Sequence, residues 1–150
     1  MLFGAAALAV LGATSAACGS PPPPEMDDLI TQLDRARSDS QLATDAAAAA
    51  KRQIAPALNA VASERSDHAR ALADEIARIT GEAATSAPKT TSPAPAPTTK
   101  DVIAALRTSA DNAAQLAAQL SGYRAGLLGS IAASCTAAYK VALASPGRTQ

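Results

Sequence analysis

PALNAVASERSDHARALADEIARITG, residues 56–81, decides how this chain folds. Leu58, Val61, Leu72, Ile76 and Ile79 recur there in steps of three and four, with Arg65 and either His68 or Ala69 continuing the same stripe. That spacing puts one apolar face along a helix. Pro56 suits the first helical turn, where its missing N–H is not needed, and Gly81 suits the stop. The stripe is one-sided, so the helix must be covered by others.

Upstream, a first helix is expected over 26–52. Glu25, Asp27 and Asp28 lie at its N-terminal end and Lys51 and Arg52 at its C-terminal end, as the helix dipole prefers. Its seam is Leu29, Leu33, Ala36, Ser40, Ala43, Ala47 and Ala50, with Leu42 beside it. Pro56 cannot sit inside one continuous helix without losing a hydrogen bond, so the chain must reverse near 53–55.

Downstream, residues 82–100 carry Pro88, Pro93, Pro95 and Pro97 among Ala, Ser and Thr, with no apolar period. This reads as an extended linker. Thr98 and Asp101 have capping-box spacing, with Thr99 an alternative cap. A third helix follows to about Leu120, with Val102, Ile103, Leu106, Ala110, Ala113, Ala117 and Leu120 inward. Gly122 marks a reversal. A fourth helix, 123–144, carries Leu127 or Leu128, Ile131, Cys135, Ala138 and Val141 or Ala142. Residues 146–150 are a tail.

The sum is an all-α chain, a four-helix bundle of two helical hairpins over 26–145. Gln41–Leu42–Ala43 and Gln115–Leu116–Ala117 give the hairpins a weak self-similarity. The chain has 41 alanines, no Trp, two Tyr and one Phe, whereas a β-sandwich needs many β-branched and aromatic residues. Alanine seams bury little area each, so stability near the low end, about 5 kcal/mol, is expected. The linker length bears on topology. A helix of about 25 residues is about 37 Å long, and some 19 extended residues reach about 60 Å. A crossover along the whole bundle is therefore feasible, and it explains the length better than a short turn.

Two hairpins, a long crossover and the string Glu64–Arg65–Ser66–Asp67–His68–Ala69–Arg70–Ala71–Leu72 resemble ferritin-like bundles. They are similar in particular to alanine-rich ferritin-like domains of unknown function in actinobacterial lipoproteins. Metal-binding members of that class use a Glu from each of two helices and a Glu-x-x-His pair from each of the other two. Here there is one histidine, Glu64 and His68 are four apart, and 123–144 holds no Asp, Glu or His. The resemblance thus implies the fold without its metal, and no cofactor is expected.

The N-terminus carries a different message. Met1 to Ala17 is uncharged and mostly apolar, Ser15, Ala16 and Ala17 are small, and Cys18 follows. Gly19, Ser20 and Pro21–Pro24 come next. This layout resembles the lipobox of bacterial lipoproteins, in which the cysteine thiol receives a diacylglyceryl group and becomes the first mature residue. The expected organisation is a signal peptide at 1–17 and a lipidated Cys18 with a proline-rich tether at 18–25. Ser15 stands where Leu is usual, and a secretory n-region is normally basic. Since no Lys or Arg precedes Cys18, the expectation is a mis-set start, with the basic residues upstream of Met1. The rival reading is an uncleaved anchor, for which about 17 apolar residues is the bottom of the spanning range. Either way the expected place is the outer face of the cell membrane. Four prolines in an extended helix add about 12 Å of spacing.

Thirteen basic and 13 acidic residues cancel, so there is no basic footprint for nucleic acid. Cys135 has no disulfide partner once Cys18 is acylated, and its place on the apolar stripe argues for a buried small hydrophobe. The candidate ligand or partner cluster is Arg35, Asp39, Glu64, Arg65 and His68, joined by Tyr123 and Tyr139 as possible interface anchors. A buried ion-pair cluster in a bundle serves as a register device more often than as a ligand site. No nucleophile with base and orienter is visible, so no enzyme is expected. The expected function is a membrane-anchored, non-catalytic binding or scaffolding domain with an envelope protein or lipid as partner. The rivals are a carrier of a small apolar ligand between the hairpins and a degenerate ferritin-like metalloenzyme.

Overall fold

The computed structural model describes residues 24–84 and 95–144. The signal segment, Cys18, most of the tether, the middle of the linker and the tail lie outside the described residues. Among those described there are four α-helices and no strand: α1 Met26–Ala49, α2 Ala55–Thr80, α3 Thr99–Ala117 and α4 Gly122–Ala137. None is long and apolar enough to cross a membrane.

Each helix forms for local reasons and is held by its buried stripe. Pro56 lies in the first turn of α2, and Gly81, at φ +74°, closes it through an N–H to the Ala77 carbonyl. Thr98 and Asp101 form the capping box of α3: the Asp101 N–H donates to the Thr98 hydroxyl at 3.3 Å and the Thr98 N–H donates to the Asp101 carboxylate at 2.8 Å. Gly122, the first residue of α4, takes the left-handed φ of +59° that the reversal into that helix requires.

Three helix ends differ from the sequence expectation. α1 stops at Ala49 rather than Arg52, because Ala50 is extended and Lys51–Ile54 make the reversal that Pro56 requires. α3 stops at Ala117 rather than Leu120, and Gln119 and Leu120 bond back three residues in a tightened last turn. After Ala137 the chain makes a π-helical turn over Ala138–Ala142, with the Leu143 N–H reaching the Ala138 carbonyl at 2.9 Å. That inserted residue rotates everything after it. Val141 is 75 % exposed and Ala142 is also exposed, and Leu143 is buried in their place. The expectation of Val141 or Ala142 inward is corrected by this shift of register.

α1 packs against α2 and against α3, and α3 packs against α4. Contacts fix the directions. An Arg124–Glu25 ion pair joins the start of α4 to the start of α1. Ala46–Ile54 share a cleft with Ala96–Thr99, so the end of α1 meets the start of α3. The Ser134 hydroxyl donates to Glu64, joining the later half of α4 to the first half of α2. Hence α1 and α4 run one way and α2 and α3 the other. The end of α2 and the start of α3 therefore lie at opposite ends of the bundle, as the length of the link favours. Leu29, Leu33, Leu58, Leu72, Leu106, Leu128 and Ile131 fill the core, with alanines such as Ala36, Ala43 and Ala113 letting the helices approach closely.

Candidate functional site

All four helices send a residue to the centre of the bundle. Asp39 comes from α1, Arg65 from α2, Ser109 from α3 and Cys135 from α4, and none is more than 6 % exposed. Arg65 is among the largest fully buried side chains, at 1 % exposure. It lies there because it occupies the 3–4 stripe between Val61 and Ala69, where an apolar residue would ordinarily sit.

One oxygen of Asp39 gathers the cluster. Arg65 Nε donates to Asp39 Oδ2 at 3.1 Å and Arg65 Nη2 approaches the same oxygen at 3.0 Å. Ser109 Oγ donates to it at 2.6 Å. Arg65 Nη1 lies 3.1 Å from His68 Nδ1. A guanidinium carries only donors, so Nδ1 must accept, and the ring is neutral with its proton on Nε2. Burial and then the Arg65 charge push the His68 pKa below its ordinary 6.5, against a smaller upward pull from Glu64 and Asp67. Beside the cluster, Ser40 Oγ donates to the Ala62 carbonyl at 2.8 Å and fastens α1 to α2.

The arrangement is closed rather than reactive. Burial pushes the Cys135 thiol up to about 11, and the Arg65 charge offsets that only in part. A thiol that stays protonated at neutral pH is a poor nucleophile. His68 reaches Arg65 and not a hydroxyl or thiol nucleophile. Among the described residues, no three His, Cys, Asp or Glu side chains converge in a way that could hold a metal ion.

The structure separates the seven residues of the candidate cluster. Asp39, Arg65 and His68 come together. Glu64 is exposed and turns to Ser134 on α4. Arg35 is half-buried on α1, with a buried Nε that finds no acceptor among the described residues. Tyr123 is 65 % exposed at the end of the bundle that holds Glu25, beside Asp74, Glu75 and Arg78. Tyr139 is half-buried near the opposite end of α4, its ring centre 5.3 Å from the Arg107 guanidinium carbon. The two tyrosines therefore belong to no common site with Arg65.

Three buried polar residues escaped the sequence reading. Ser109 completes the Asp39 shell and is signalled only by adjoining the Leu106–Ala110–Ala113 stripe. Glu75 is buried and takes a two-pronged contact from Arg78, at 2.8 and 2.7 Å, which holds its carboxyl below the usual range. Gln32 is buried on α1. Half-open clefts lie on the outside of the bundle. One of about 530 Å³ sits at the end where α1 turns into α2, and another of about 500 Å³ lies along α3 and α4.

No family model matches this sequence, and no curated protein or solved structure is significantly similar to it.

Proposed function

We propose that the protein is an extracytoplasmic lipoprotein, anchored through Cys18, whose ferritin-like domain lacks a metal and works by binding or scaffolding at the outer face of the membrane. The observation that carries the anchor is Cys18 itself, between an uncharged 17-residue apolar segment and four prolines. One acyl chain holds a protein weakly, whereas two or more hold it stably.

The domain reading draws on the chain's course. Two antiparallel hairpins joined by one long crossover is the layout of ferritin-like bundles. Such folds build their ligand sites from inward side chains at the bundle centre. Here that centre holds a guanidinium, which has no lone pair to offer a metal, paired to a single carboxylate. The cluster ties α1, α2 and α3 into one register, with Cys135 of α4 buried beside it, and leaves no described side chain poised for chemistry. A binding role at the surface fits this interior better than catalysis does. The partner is an envelope protein or a lipid, and the cleft at the end of α1 favours a lipid-carrying variant of the same role.

The test is fractionation. The wild-type chain is expected in the membrane fraction, accessible to added protease in intact spheroplasts. Cys18→Ala is expected to lose mature, membrane-held protein. Full protection from protease in intact spheroplasts would overturn the proposal.

A further inference from the structure

The half-open cleft where α1 meets the start of α3 is lined mainly by apolar groups, among them Ala46, Ala49 and Ile54, with Gln53, Thr98 and Thr99 as uncharged polar members and Lys51 as its cationic one. Its volume of about 530 Å³ lies within the roughly 300–1,000 Å³ of pockets that enclose small ligands. The charge around it is not random. Dividing the described residues at the Asp39–Arg65–Ser109 level, the half that contains Glu25 holds nine carboxylates against five arginines, a net of −4. The half that contains the cleft holds five cations against three carboxylates, a net of +2. Of those three, Asp101 keeps its charge beside the lining residue Thr98 and Glu64 turns away to Ser134, so the positive excess is a net one. The cleft thus joins a mainly apolar lining to the positive end of the molecule.

We propose that this cleft binds a long-chain fatty acid, with the hydrocarbon on the apolar lining and the carboxylate paired to Lys51. The apolar lining without the charge would suit a neutral lipid, and the charge without the apolar lining would suit any anion. Their combination selects a single-chain anionic amphiphile. The inference rests on the reading of the domain as a binding module and gives it a ligand class. The cleft lies at the opposite end of the bundle from the start of α1. If Cys18 is the anchor, the cleft opens away from the membrane and not onto it.

The experiment uses the full chain in membranes, photolabelled with a diazirine analogue of palmitic acid and mapped by peptide mass spectrometry. Label is expected on peptides covering 46–54 and 96–99. It should be removed by excess palmitate and much less by hexadecanol, which has the chain without the charge. Lys51→Glu should lower it several-fold. Ala49→Phe, at an exposed position of the lining, should abolish it while leaving the helical circular dichroism unchanged. Label spread evenly over the helices, equal competition by hexadecanol, or indifference to both variants would overturn the proposal. The label is read on the far end of the bundle whether or not Cys18 is acylated. Cleft labelling of an unprocessed chain would therefore sink the anchor and leave this inference standing, and an acylated chain without label would do the reverse.

Discussion

Changing Arg65 to Met isolates the central cluster. The substitution keeps a long flexible side chain but removes two donors from Asp39 Oδ2, at 3.1 and 3.0 Å. Among the described residues, Asp39 would keep the Ser109 hydroxyl alone and stay inside the bundle as an uncompensated charge. Removing one member of a buried pair costs about 3–5 kcal/mol. A domain with stability near the low end of about 5 kcal/mol would then be barely folded. With m of about 1–3 kcal/mol/M, the urea midpoint should fall by about 1 M or more. The double variant Asp39→Leu with Arg65→Met supplies the comparison. Replacing both partners by apolar groups leaves no buried charge and should return stability to within about 1 kcal/mol of wild type or above it. Ser109 can then turn its hydroxyl to the helix carbonyl one turn back. The assay is urea unfolding of the full chain followed by helical circular dichroism. A loss below about 1 kcal/mol for Arg65→Met would refute the reasoning. So would a double variant weaker than the single one, because the pair would then be stabilising in its own right.

Three further outcomes follow from the same geometry. His68 is held neutral, with its pKa below 6.5, so the unfolded chain binds the proton first. Stability should be full above about pH 6.5 and decline as pH falls below it, and His68→Gln should remove that part of the slope in melts run from pH 7.5 to 5. Cys135 should resist a maleimide in the native protein at pH 7.5 and react fully once urea unfolds it; rapid native labelling would show the thiol is not buried as described. Thr98→Ala removes the hydroxyl half of the α3 capping box and should cost about 1 kcal/mol, read as a drop in the urea midpoint.

The α2 stripe was legible because its members are large and spaced by threes and fours: Leu58, Val61, Arg65, Ala69, Leu72 and Ile76 are all buried. The seam of α1 was legible too, and Asp39 was grouped with Arg65 from the sequence, but the α3 partner was not. Ser109 adjoins the α3 stripe by one residue, and on a helix that offset can mean either solvent or a neighbouring helix. Only the packing of α3 against α1 decides between them. Crossover topology was legible from linker length, since a short turn would not need 17 to 19 residues. The π turn after Ala137 was not. A sequence read at 3.6 residues per turn assumes unbroken phase, and the insertion that buries Leu143 in place of Ala142 reflects how α4 ends against its neighbours. The candidate cluster split for a related reason. Charge and proximity in sequence grouped Glu64 with His68, and a spacing of four does put both on one side of α2, but Glu64 finds Ser134 on α4 whereas His68 finds Arg65.

The most direct test of the account is the intact mass of the protein taken from native membranes, measured with and without Cys18→Ala. A protein anchored through Cys18 begins at that residue and carries added acyl mass, and the variant lacks both cleavage and acyl groups. An unprocessed wild-type chain with no acyl group would contradict it and remove the membrane anchor from which the proposed role begins.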